Sequence, residues 1–240
     1  MMVLKDILDV TLYGFIVGML GTGLGGIFSL ILGQNKKIFS FLLGLTGGFM
    51  MFIITFHLLP ESFMLGGTWF TIISIILGVL FVIFVQSSLK YLNKSTTVIS
   101  GLVLGISIAV HNFPEGLALG SSFFSLREFG FTLSLAMLLH NIPEGLAIAI
   151  PLKSKGVSPI KIVLFTALTG IPTGIGSFLG ASVGMFSTTL ISVCLAFAGG
   201  TMLYIIADEI MPEGKRLYSG KLSSLGVVAG FIVGIILYFK

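Results

Sequence analysis

The chain has 240 residues, of which 55% are hydrophobic and only 9% charged, with a mean hydropathy of +1.13. Water-soluble domains carry about 25% charged residues, so the composition excludes one and points to a polytopic membrane protein. The net charge of +4 comes from bases scattered through short segments, which excludes a nucleic-acid partner, and a single cysteine, Cys194, excludes an internal disulfide.

At about 20 apolar residues per crossing, eight spans are expected. They run at 9–32, 38–60, 69–89, 97–121, 130–152, 158–184, 188–211 and 222–239. Lys5, Asp6 and Asp9 precede an apolar run too long for a signal-peptide core, so the first stretch reads as a span and not a cleaved leader. The connections are short, which makes residues 1–240 one polytopic transmembrane domain. Thirty-two glycines in so apolar a chain indicate close helix packing and broken helices.

Orientation follows from Lys and Arg in alternate connections. Lys36, Lys37, Lys90, Lys94, Lys153, Lys155, Lys161, Lys215, Arg216 and Lys221 fall on one side; Lys5, Arg127 and Lys240 fall on the other. The richer side is cytoplasmic, so both termini are expected outside, in a protein of the cell membrane.

A long internal similarity links the second and seventh spans. Residues 44–62 align without gaps on 196–214, matching Gly47 with Gly199, Gly48 with Gly200, Met50 with Met202, Pro60 with Pro212 and Glu61 with Glu213. Upstream, the segment around Thr22 resembles the segment around Thr173. The two units are offset by an odd number of spans, so spans one to three and six to eight form an inverted repeat around a central pair, spans four and five. That plan recurs in secondary transporters, with the substrate site near the bilayer midplane.

The central pair carries one phrase twice: His111-Asn112-Phe113-Pro114-Glu115-Gly116 returns as His140-Asn141-Ile142-Pro143-Glu144-Gly145. A charged side chain in hydrocarbon costs roughly 2.5–3.5 kcal/mol on insertion scales, so such residues are read as functional. His and Glu stand four apart and Asn and Glu three apart, which puts each set on one helix face. The two spans are antiparallel, joined by a turn near Arg127 to Gly130, and bring two imidazoles and two carboxylates to one point. Their charge sums to −2, which one divalent cation neutralises. This nitrogen and oxygen set suits zinc, and also Fe(II), Mn(II) or Cd(II). Pro114 and Pro143 bend the helices and free the carbonyls of Val110 and Leu139. Asn112 and Asn141 offer neutral oxygens to a second, weaker site, with Glu115 and Glu144 bridging. A lone intramembrane His or Asn is often a packing group worth about 0.6 kcal/mol; two facing copies of the phrase are not explained that way.

His57 and Glu61 stand toward the outer end of span two, and Asp208, Glu209 and Glu213 toward the inner end of span seven. They read as an entrance and an exit for cations, with solvated helix ends the plainer alternative for Glu61 and Glu213. On pattern alone Met50 and Met202 are core residues.

With its paired motifs, His57 and Glu61 around Pro60 and Glu209 and Glu213 around Pro212, the chain resembles the ZIP (Zrt/Irt-like) divalent metal transporters over nearly its whole length. The resemblance implies import of zinc and related ions through a binuclear centre between spans four and five. It implies a first site of His111, Glu115, His140 and Glu144 with Met50 as a further ligand, and a second of Asn112 and Asn141 sharing the glutamates. It puts His57 on the entry path and Asp208 and Glu209 on the exit path, and implies a homodimer. The metal is cargo here and no cofactor is expected. Two features depart from the family pattern. The His-rich loop between spans three and four is nearly absent, and Ile171 precedes Pro172 where some members carry an acidic ligand.

Two other readings compete. An intramembrane zinc-dependent enzyme needs a Glu beside a liganding His to activate water, and here Asn follows each His. An ion-coupled carrier of an organic substrate would work without divalent ions.

Overall fold

The computed structural model describes residues 2–32, 35–92, 99–125 and 127–238, with side chains described over 4–32, 35–88, 105–125 and 127–237. Among the described residues the chain is helical throughout, with no strand. Helix α1 spans Met2–Ile31, α2 Lys36–Ile53, α3 Leu59–Leu92, α4 Ile99–Ser125 and α5 Arg127–Ser154. The rest are α6 Pro159–Leu168, α7 Ile171–Gly184, α8 Thr188–Ile205, α9 Met211–Leu217 and α10 Leu222–Tyr238. Among the described residues, five helical segments are long and apolar enough to cross a membrane: 4–31, 36–88, 127–154, 159–184 and 188–217.

Several boundaries differ from expectation. No loop separates the second and third spans; the helix runs on and turns at Gly67, whose φ of 72° is a left-handed conformation that other residues rarely adopt. The sixth span is two helices, broken at Thr169 and Gly170 ahead of Pro172. The turn expected near Arg127 to Gly130 is already helix, since α5 begins at Arg127. The lysines Lys90 and Lys94 and the end of span three lie at or beyond the limit of the described side chains.

Between α2 and α3, and again between α8 and α9, the helix widens for five residues into a π turn, at Ile54–Leu58 and Ile206–Ile210. Pro60 and Pro212 follow two residues after the end of each turn. A proline lacks the N–H its i−4 carbonyl needs and crowds that turn, and a wider turn relieves both. The N–H of Leu59 reaches back to Ile54 O, and that of Met211 to Ile206 O.

Packing is pairwise. Helix α1 lies against α5, α4 against α7, α2 against α10 and α3 against α8, while α4 and α5 also pack on one another. The glycine closing each motif makes a close approach: Gly116 sits on the carbonyl of Thr173 in α7, and Gly145 on the carbonyl of Thr22 in α1. A methyl at either position would collide with backbone, which cannot yield as a flexible side chain does. Lys153 donates from Nζ to the carbonyls of Ser29 (2.7 Å) and Leu30 (3.2 Å), closing the C-terminal end of α1.

Candidate metal centre

The two motif helices cross with their polar faces inward. Glu115 from α4 and His140 and Glu144 from α5 each present a ligand-type atom, all within 4.8 Å of one another, and all three residues are buried. His140 Nε2 lies 3.2 Å from Glu115 Oε1. Glu115 Oε2 and Glu144 Oε2 are buried and make no hydrogen bond to the described residues. Leaving such atoms unmatched in a low-dielectric interior is costly, and a cation beside them offsets that cost directly. The donor set of one imidazole nitrogen and two carboxylates is also one that divalent transition metals accept.

His111 stands slightly apart. Its Nε2 is 3.9 Å from Glu209 Oε1 and 3.5 Å from the hydroxyl of Ser107, one turn earlier on the same helix. Three of the four expected side chains therefore form the compact cluster, and the fourth turns toward the π turn Ile206–Ile210. A cavity of about 680 Å³ connects them: His111, Glu144, Asp208 and Glu209 line it, and it continues past Glu213 and Arg216 to Ser154 at the end of α5. That end carries the lysine-rich connections.

The asparagines are fully buried beside the cluster. Asn112 Nδ2 donates to Thr169 O at 2.8 Å, capturing a carbonyl at the break between α6 and α7. Its Oδ1, and both polar atoms of Asn141, make no hydrogen bond to the described residues.

Comparison with known proteins agrees with this geometry. A family model described as ZIP Zinc transporter matches residues 90–238, which include both motifs and the π turn bearing Glu209. The chain belongs to the ZIP family. It is 37% identical over 139 residues to the zinc transporter GufA of Myxococcus xanthus, a match covering 58% of this chain and 55% of that protein. With the zinc transporter ZIP11 of Xenopus tropicalis it shares 41% over 139 residues, 55% of this chain and 41% of the relative. The match thus spans about half the length of those two relatives. With the zinc transporter ZupT of Akkermansia muciniphila it shares 30% over 250 residues, covering 89% of this chain and 91% of the other.

Within this ZIP chain the remaining candidates fall in different places. Met50 is buried in the main apolar core, as is Met202. His57 is buried between aromatic rings, edge-on to Phe52 at 5.6 Å and stacked on Phe129 at 5.7 Å, and lines neither the inner cavity nor the smaller one around Asp6, Asp9 and Tyr13. Asp208 and Glu209 both border the inner cavity. Glu61 accepts a hydrogen bond from the Ser125 hydroxyl, and Glu213 pairs with Arg216 at an exposed helix end. Sequence reasoning missed Gln86 and Ser107. Ser107 was within reach, being four residues before His111 on the same face; Gln86 had no pattern to reveal it.

Proposed function

We propose that this protein carries divalent transition-metal ions, zinc first among them and iron, manganese or cadmium also fitting the ligand set, across the cell membrane toward the cytoplasm. The observation that carries the reading is the buried cluster of Glu115, His140 and Glu144, set beside a cavity that opens toward the lysine-rich end. Those three residues are the main ligands. His111 takes part at the cavity side and hands the ion toward Glu209 and Asp208. Asn112 and Asn141, with their unmatched amide atoms, serve a weaker second position that shares the glutamates. Met50 completes the first position from α2, and His57 lies on the outer approach. The relatives' names as zinc transporters support transport over an enzymatic reading.

The architecture fits eight crossings with both termini outside and an inverted repeat. In its support, the two π turns fall at equivalent positions of the aligned segments, since 206 − 54 and 210 − 58 both equal 152. The contacts of Gly116 on Thr173 and Gly145 on Thr22 are related by the same exchange. The protein works as a homodimer in lipid.

Liposomes loaded with a zinc-sensitive dye test the proposal. Wild type admits zinc, and Glu144→Ala abolishes the flux because it removes a carboxylate shared by both positions. Equal fluxes would defeat the assignment.

A further inference from the structure

Three segments distant in sequence meet at the lysine-rich end of the molecule. The Ser40 hydroxyl of α2 donates to Gly214 O in α9 at 2.7 Å, and Gly214 packs so closely on Ser223 of α10 that an added methyl would press on its hydroxyl. Both serines are buried. Around this contact the chain places five bases. Lys36 and Lys37 stand four and three residues before Ser40, one helical turn earlier on the same face. Lys215 and Arg216 follow Gly214 directly, and Lys221 precedes Ser223 by two residues. Lys37 Nζ lies 5.4 Å from the centroid of the Tyr218 ring, which ties the start of α2 to the connection between α9 and α10. All five bases are exposed. Glu213 is the one acid within residues 36–40 and 213–223, and it is engaged by Arg216. Among the described residues no carboxylate pairs with the four lysines.

We infer that this basic cluster is a docking site for the phosphate of an anionic phospholipid in the surrounding bilayer. Like charges gathered by buried contacts repel one another, and an anion among them relieves that repulsion. Each ammonium carries donors that a phosphate oxygen can accept. The apolar neighbours favour a lipid over a soluble phosphate. Ile38 directly follows Lys37 and Leu225 lies one turn beyond Lys221, and they are 43% and 56% exposed, so surface for acyl chains continues from the charges. Membrane orientation asks only for lysines on one side of the bilayer; it does not ask that separate segments be drawn together. The cluster also borders the cavity, which Arg216 and Leu217 line. A bound phosphate would offset the positive field that a departing dication meets there. That consequence rests on the transport reading, whereas the lipid site itself does not.

The test is therefore made without zinc, so that its failure and a failure of the transport reading are distinguishable. Fluorescent phosphatidylglycerol and phosphatidylcholine with the same chains are titrated onto the purified protein in neutral detergent. Wild type binds phosphatidylglycerol the more tightly. Lys37→Gln lowers that affinity about fivefold, the worth of one ammonium near a lipid phosphate, and the triple variant Lys37→Gln/Lys215→Gln/Lys221→Gln binds the two lipids alike. Lys161→Gln, which removes an exposed lysine from α6, a helix packed on α1 and α5, leaves the preference intact. Equal binding of the two lipids by wild type, or an equal loss of preference in Lys161→Gln, would overturn the site. So would displacement of phosphatidylglycerol by inorganic phosphate at constant ionic strength, which would make it a site for a soluble anion.

Discussion

The π turns Ile54–Leu58 and Ile206–Ile210 share a backbone form and the proline that follows two residues later, yet their surroundings are opposites. In the first, the fourth residue is His57, enclosed by Phe52 and Phe129. In the second, the fourth residue is Glu209, held by Gln86 and Ser107 at the border of an open cavity. A widened turn re-aims one side chain in each repeat. What that side chain meets is decided by packing: aromatic rings shut one end, and polar donors keep the other wet. The difference shows how two similar segments give one side chain an aromatic enclosure and the other a place at a cavity border.

Exchanging the chemistry breaks the comparison most severely. His57→Glu forces a carboxylate between aromatic rings, and the expected outcome is loss of folded protein or a large drop in melting temperature in detergent. Glu209→Ala, at the polar end, leaves folding nearly intact but lowers zinc flux by about tenfold, because it removes an anionic group that lines the cavity beside His111. If the two variants were equally stable, the surroundings would not differ in the way described.

The next effect concerns the centre between the two turns. His140→Ala lowers zinc flux more than Asn141→Ala does, since an imidazole nitrogen is a stronger ligand than a neutral amide oxygen. Side-by-side flux measurements check the order, and a reversal would move the main site toward the asparagines.

How much of this was legible follows from what local spacing can carry. The motif residues were visible because helical periodicity places positions four apart on one face, and the cluster of Glu115, His140 and Glu144 obeys that rule. His111 obeys it too, but the angle at which α4 meets its neighbours turns the ring toward Glu209, and no pattern within α4 encodes that angle. Gln86 and Glu209 are 123 positions apart, and Gln86 ends an apolar run whose residues look interchangeable. Pro60 and Pro212 were legible as matched positions of the repeat, but the widened turn ahead of each was not, because it depends on tertiary contacts. At Pro172 the same residue type accompanies a break, and at Gly67 a tight corner stands where a loop was expected.

The smallest expected effect lies at the cavity's outer rim. Arg216 donates from Nε to Glu213 Oε2 at 2.6 Å and from its terminal nitrogen to Oε1 at 2.7 Å, three residues apart on α9. The geometry is bidentate, which is the strongest form of the pair, but both side chains are substantially exposed and solvent screens them. Exposed pairs contribute roughly 0–1 kcal/mol, so Arg216→Ala should barely shift the melting temperature. Its influence on flux is electrostatic. Removing a positive charge from the mouth leaves Glu213 uncompensated and lets a dication approach more easily, which gives a slight gain in flux at low salt that vanishes at high salt. A gain independent of ionic strength would mean that the pair obstructs the cavity physically, and the polar end would then be less open than its lining suggests.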